Sequence, residues 1–215
     1  MARAKNKKDL YADVLAWFSK NMPSVQSELV FENPYQLLVA VILSAQCTDK
    51  RVNMVTPALF ARFPDPTSMS RTDEAEILSY IKSVSYPNSK AAHLSGMARM
   101  LVEDFGGRVP EKMEDLLRLP GVGRKTANVM RAVAFDKPAM AVDTHVFRVS
   151  ARLGLTKDSK TPAETERQLV ANIPAGLLGT AHHWLLLHGR YVCLSRKPKC
   201  QECGLSFCCE YYKKK

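Results

Sequence analysis

The run Leu119-Pro-Gly-Val-Gly-Arg-Lys-Thr-Ala-Asn-Val129 constrains this chain more than any other stretch. An apolar helical pattern with Leu116, Leu117 and Leu119 runs into Pro120, which cannot continue a helix. A second helical pattern, carrying Ala127, Val129, Met130 and Val133, starts a few residues later. Between them, Gly121 and Gly123 allow backbone angles and close approaches that a Cβ would block. Such a hairpin aims the unpaired N–H groups of the second helix at one small anion. A plain turn between packed helices is the competing reading, and context has to separate the two.

The context is basic. Lys and Arg number 31 against 21 Asp and Glu, a formal charge of +10, so a polyanionic partner and salt-sensitive binding are expected. Arg124 and Lys125 sit in the first turn of the second helix, where the dipole is already positive. A lysine there opposes helix stability, a local conflict of the kind found at functional positions. A helix-hairpin-helix for DNA phosphate follows, with Gly121, Gly123 and Arg124 as contacts.

The remainder reads as helix. Leu10 to Phe18, Tyr35 to Leu43, Val52 to Phe60, Thr72 to Ile81 and Ser89 to Phe105 carry helical periodicity before the hairpin. Thr144 to Leu153, Glu164 to Asn172 and His182 to Tyr191 carry it afterwards. The third pattern ends at Phe63-Pro-Asp-Pro, the fifth at Gly106-Gly107, and no alternating strand appears. The fold class is all-α. The basic start, Met1 to Lys8, has no apolar stretch behind it and is not a signal peptide. The longest apolar run, Leu37 to Leu43, is too short to span a bilayer, so a soluble intracellular protein is expected.

Five of the six cysteines lie between Cys193 and Cys209, which in a reducing compartment points to a metal site rather than disulfides. Cys193, Cys200, Cys203 and Cys209 follow a C-x6-C-x2-C-x5-C spacing, suited to zinc or to a cubane iron–sulfur cluster. The wide gaps around one C-x2-C favour iron–sulfur and leave zinc open. Cys208 is an alternative to Cys209, and since neighbouring side chains point apart, one of the two is spare. Arg196, Lys197 and Lys199 fall between the first two ligands, where a loop held at both ends presents a ridge of cations to phosphates.

Eighteen residues after Lys125 comes Asp143, in Val-Asp-Thr-His. By itself it reads as a helix N-cap, and Lys125 as a phosphate contact. Together they suggest covalent chemistry on a sugar. An amine nucleophile has to be neutral when it attacks; the helix dipole, Arg124 and desolvation by a bound substrate all disfavour the ammonium form. A carboxylate would shuttle protons and stabilise an electron-poor sugar carbon.

With these residues in place, the chain resembles the endonuclease III family of bifunctional DNA glycosylases with abasic-site lyase activity. The resemblance runs from about Leu29 through Cys209. It is carried by Leu-Ser-Ala-Gln at 43–46, the hairpin at 119–129, Val-Asp-Thr-His at 142–145, His182-His183-Trp184 through Tyr191, and the four-cysteine loop. It implies a two-lobed helix-hairpin-helix glycosylase fold. A six-helix domain would span 27–136, and a second domain would join 1–26 to 137–215 and carry the cluster, with the active site between them. Lys125 would attack C1′, expel the damaged base and form a Schiff base, and β-elimination would cut the strand. Asp143 would assist. The four cysteines, with Cys209 as the fourth, would hold a [4Fe-4S] cluster.

The partner implied is double-stranded DNA with oxidised pyrimidines or abasic sites, met by a monomer in the cytoplasm at the nucleoid. Such enzymes take the target nucleotide out of the stack. The glutamine matching Gln46 fills the space left behind. The second wedge loop departs from the family's Gly-x-Tyr-Asn-Ser-Lys: here it reads Ser85-Tyr86-Pro87-Asn88-Ser89-Lys90, with Tyr86 as an aromatic wedge and Pro87 stiffening the loop.

Overall fold

The computed structural model describes residues 6–214; the first five residues of the basic start lie outside them. Among the described residues there is no strand, and the chain divides into two compact units. Ser27–Lys137 forms one; Met1–Gln26 and Pro138–Lys215 form the other.

The Ser27–Lys137 unit is arranged around a helix that is apolar on every side. Asn33 caps it by accepting the Gln36 N–H, and Pro34 takes the first helical position, where a missing N–H costs nothing. This helix, which follows the N-terminal α1 (Lys7–Asn21), is α2 (Pro34–Ser44). All nine of its residues from Tyr35 to Leu43 are buried, as expected of a helix without a polar face. Packed against it are α3 (Asp49–Arg62) and α6 (Pro87–Phe105), and α4 (Pro66–Ser70) and α5 (Glu74–Ile81) pack in turn on α6. Their fully buried Leu59, Phe63, Met69, Ile77, Leu94 and Leu101 complete the core. The hairpin helices α7 (Met113–Leu116) and α8 (Arg124–Val129) close the unit, and α8 runs on into a π-helical turn at Met130–Ala134.

Local chemistry moves several boundaries from those read in the sequence. The segment Phe63-Pro-Asp-Pro ends α3 and also opens α4: Asp65 caps it in a reciprocal box with Ser68, and Pro66 stands at its start. Asp73 caps α5, so that helix begins at Glu74 rather than Thr72. Pro87 belongs to α6 itself as its first residue, so it sets the start of a helix rather than stiffening a loop.

The second unit joins α1 to α9 (Thr144–Leu153), α10 (Pro162–Val170), α11 (Leu178–Tyr191) and the short α12 (Glu210–Lys213). Its core adds Tyr11, Phe18 and Trp184 to a largely aliphatic cluster that includes Val146, Val149, Leu169 and Leu185. Phe18 stacks on Trp184 with ring centroids 5.6 Å apart, and the Trp184 indole N–H donates to Met22 O at 2.8 Å. Tyr11 donates from its hydroxyl to Leu155 O at 2.9 Å. These contacts fasten the N-terminal helix to the C-terminal third of the chain. Helices α9 and α11 cross closely at Gly189, where a Cβ would come within 2.8 Å of the His145 Cβ.

Candidate active site and cysteine pocket

The hairpin turn is seated on α6. Gly121 has φ +79°, and a Cβ there would come within 3.0 Å of His93 Cβ, so both its backbone angle and its packing require glycine. Gly123 differs from the sequence expectation. Its backbone is extended, with φ −94° and ψ 177°, and nothing in the chain lies within 4 Å of where its Cβ would be. Its missing side chain therefore matters only to something approaching from outside. No side chain caps α8, and Arg124 and Lys125 are exposed on its first turn. Behind them Ala127, Asn128 and Val129 are buried, so the helix is anchored on one face and offers its start to solvent.

Asp143 is the N-cap of α9: its Oδ1 accepts the Val146 N–H at 2.8 Å. The residues leading into it, Ala139 to Val142, are buried, and Ala141 O lies 2.8 Å from the His182 Nδ1. The carboxylate itself is half-buried at the edge of this packed segment. Capping and exposure are therefore both properties of Asp143.

Gln46 and Tyr86 are exposed, and both adopt the left-handed conformation, each with φ 53°, which a residue with a side chain seldom takes. They belong to one construction. The Ser85 hydroxyl donates to Gln46 O at 2.7 Å, and Lys90 lies behind both loops with its ammonium bonded to Leu43 O and Ala45 O. Nothing in the sequence reading singled out Ser85 or Lys90 for this, because a lysine code letter carries no sign of burial.

Cys193, Cys200, Cys203 and Cys209 line one pocket, together with Leu153, Val192, Pro198 and Tyr211. Cys208 does not line it; its thiol is buried and directed at Leu205 O, 3.4 Å away. Burial pushes the Cys203 and Cys209 thiols upward, backbone N–H groups oppose this, and the neighbouring cysteines reinforce it. Among the described residues, no three His, Cys, Asp or Glu side chains converge as they would on a single ion. The four cysteines line an apolar enclosure. That donor set suits a multi-iron cluster, in which each iron takes one thiolate and N–H groups from the protein face the sulfurs.

Two arginines of α9 hold the loop that follows α11. Arg148 donates to Gly189 O at 2.8 Å and Cys193 O at 3.2 Å. Arg152 donates to Leu194 O at 2.7 Å and Ser195 O at 3.0 Å, and stacks over the Tyr211 ring. The loop is thus tethered by its backbone, while Arg196, Lys197 and Lys199 remain exposed, with Lys197 in the left-handed region. Nothing local in the sequence marks the two tethering arginines, whose partners lie 41 to 45 residues away along the chain.

Comparison with known proteins bears on these sites. A model of the HhH-GPD superfamily of base excision DNA repair proteins matches residues 39–175. Endonuclease III of Rickettsia conorii is 47% identical over 195 residues, 91% of this chain and 92% of that protein. Endonuclease III of Escherichia coli K12 is 42% identical over 202 residues, 94% of this chain and 95% of that protein. Among solved structures, a trapped endonuclease III–DNA covalent intermediate matches with a TM-score of 0.92 at 40% identity, covering 98% of this chain and 99% of that one. A thermostable thymine-DNA glycosylase matches with a TM-score of 0.83 at 28% identity, covering 97% and 98%.

Proposed function

The chain belongs to the endonuclease III family of base-excision DNA repair enzymes, and we propose that Lys125 and Asp143 are the residues through which it removes a damaged base and cuts the strand. The activity is that of a DNA glycosylase and abasic-site lyase acting on oxidised pyrimidines in duplex DNA. The Lys125 amine adds to C1′ of the extruded nucleotide as the bond to the base breaks. Loss of a proton and opening of the sugar give a Schiff base between Nζ and C1′. Abstraction of a C2′ proton then expels the 3′ phosphate by β-elimination, and water releases the lysine. Asp143 stabilises the electron-poor C1′ and moves protons to and from the sugar.

The observation that carries this reading is the placement of Lys125: an exposed amine on an uncapped first turn, directly after a glycine whose missing side chain faces open space. A phosphate drawn to the hairpin N–H groups would bring the neighbouring sugar within reach of that amine. Gly121, Gly123 and Arg124 make up the phosphate contact, and Arg196, Lys197 and Lys199 a second one. Gln46 and Tyr86 enter the duplex where the target nucleotide leaves it, with the Tyr86 ring stacking between bases.

Cys193, Cys200, Cys203 and Cys209 would hold a [4Fe-4S] cluster, which when bound supplies a rigid structural centre for the basic loop. The gathering of these four cysteines around one apolar pocket supports this, and the buried, inward-directed Cys208 supports Cys209 as the fourth ligand. Among the described residues no helix is long and apolar enough to cross a membrane.

Borohydride reduction of the enzyme on abasic duplex DNA tests the assignment of the nucleophile. Wild type should yield a covalent protein–DNA adduct, and Lys125→Ala should yield none. An undiminished adduct in the variant would remove Lys125 from the chemistry.

A further inference from the structure

We infer that Lys90 is a positioning residue for opening the duplex: its buried ammonium, bonded to the carbonyls of Leu43 and Ala45, holds the turn bearing Gln46 against the helix bearing Tyr86. The inference rests on the reading of Gln46 and Tyr86 as the residues that enter the duplex.

Lysine is among the residues least often buried, yet Lys90 is 4% exposed. A cation in such a place needs strong partners. Nζ donates to Leu43 O at 2.7 Å and to Ala45 O at 2.8 Å, at the C-terminal end of α2. Those carbonyls lie at the negative end of the helix dipole, where intrahelical donors run out. Burial lowers the proton affinity of Lys90 and the nearby Cys47 thiol raises it. The two short charge-assisted bonds are the geometric reason the side chain stays inside.

The consequence falls on Gln46. Ala45, whose carbonyl is held by the lysine, directly precedes it, and the carbonyl of Gln46 itself accepts from the Ser85 hydroxyl. Both sides of a left-handed residue are thereby pinned. The main chain of Lys90 acts on the other wedge: its N–H donates to Tyr86 O at 3.1 Å, the first helical bond of α6. Tyr86 has no side-chain cap to replace that bond. One residue therefore ties together two exposed side chains, each in a conformation that would relax if the ties were cut. Preorganised in this way, the wedge can enter a duplex without first being ordered, and a small displacement would weaken it.

The experiment uses intact, cluster-loaded enzyme and compares Lys90→Met with wild type on two substrates. The first is a lesion-bearing duplex with 2-aminopurine beside the lesion, which reports unstacking. The second is single-stranded abasic DNA, on which borohydride trapping needs no duplex opening. Lys90→Met should lower the 2-aminopurine response and duplex turnover by about 10- to 100-fold, while trapping on the single strand stays within about twofold. Equal losses on both substrates would mean a general structural role, and full duplex activity would mean no role; either overturns the inference. Ser85→Ala, which removes one bond from a partly exposed side chain, should show the same selective loss in milder form should Lys90→Met fold poorly. Gln46→Ala and Tyr86→Ala run in parallel. If they lose duplex opening and the Lys90 and Ser85 variants do not, the positioning role fails by itself. If none of the four does, the wedge reading fails and takes the inference with it.

Discussion

Helices α2 and α9 have 11 and 10 residues, and they are secured by opposite means. From Tyr35 to Leu43 every residue of α2 is buried, and aliphatic side chains pack it on all sides. Helix α9 buries one face, with Val146, Val149 and Leu153, and sends Arg148 and Arg152 from another to backbone carbonyls of the cysteine loop. Apolar packing is non-directional and suits the centre of a bundle, where neighbours on every side exclude water. A loop that must keep its cations exposed has little apolar surface to bury. Directional bonds to its main chain fix its path without using its side chains. The Ser27–Lys137 unit is thus a packed block carrying Lys125, Gln46 and Tyr86, and the other unit is a tethered frame for a basic loop.

Asp143 gives the strongest way to break this comparison, because it caps α9 within the frame and is also the carboxylate proposed to act on the sugar. Asn caps a helix about as well as Asp. Asp143→Asn should therefore leave the thermal unfolding midpoint unchanged while base excision falls by about 10²- to 10⁴-fold. A variant with nearly full activity would reduce Asp143 to its cap.

The next contrast is one of stability. Leu38→Ala, in the centre of α2, should cost about 2–5 kcal/mol of unfolding free energy. Arg152→Met should cost about 1–3 kcal/mol and act locally, raising amide hydrogen exchange around Leu194 and Ser195. Equal, global effects from the two would erase the distinction between packed block and tethered frame. The smallest effect is expected at the exposed tip of the frame. Lys197→Glu should weaken binding to damaged and undamaged duplexes alike, by about threefold to tenfold at low salt, and flatten the dependence on salt. An effect confined to one lesion would show that the loop reads bases.

Much of the site was legible in local sequence. The hairpin at 119–129 announces itself through Pro120, its glycines and the apolar patterns on either side, all of which act within a few residues. The cysteine loop is legible for the same reason, since its four pocket-lining cysteines lie within one short segment. Gly123 shows the limit: its letter suggested a backbone requirement, and the structure shows an ordinary extended residue facing open space. Lys90 shows it more sharply. Nothing adjacent to it in sequence marks a buried lysine whose partners, Leu43 and Ala45, lie 47 and 45 residues away.

The chain by itself determined that it would be helical, where its turns and caps would fall, and which residue types could do chemistry, because periodicity, capping and turn geometry are decided by neighbours along the chain. Tertiary structure decided which cysteine turns away from the pocket, which arginines hold the basic loop, and that Ser85 and Lys90 join the turns of Gln46 and Tyr86. Those outcomes depend on burial and on partners distant in sequence, which exist only once the helices have packed.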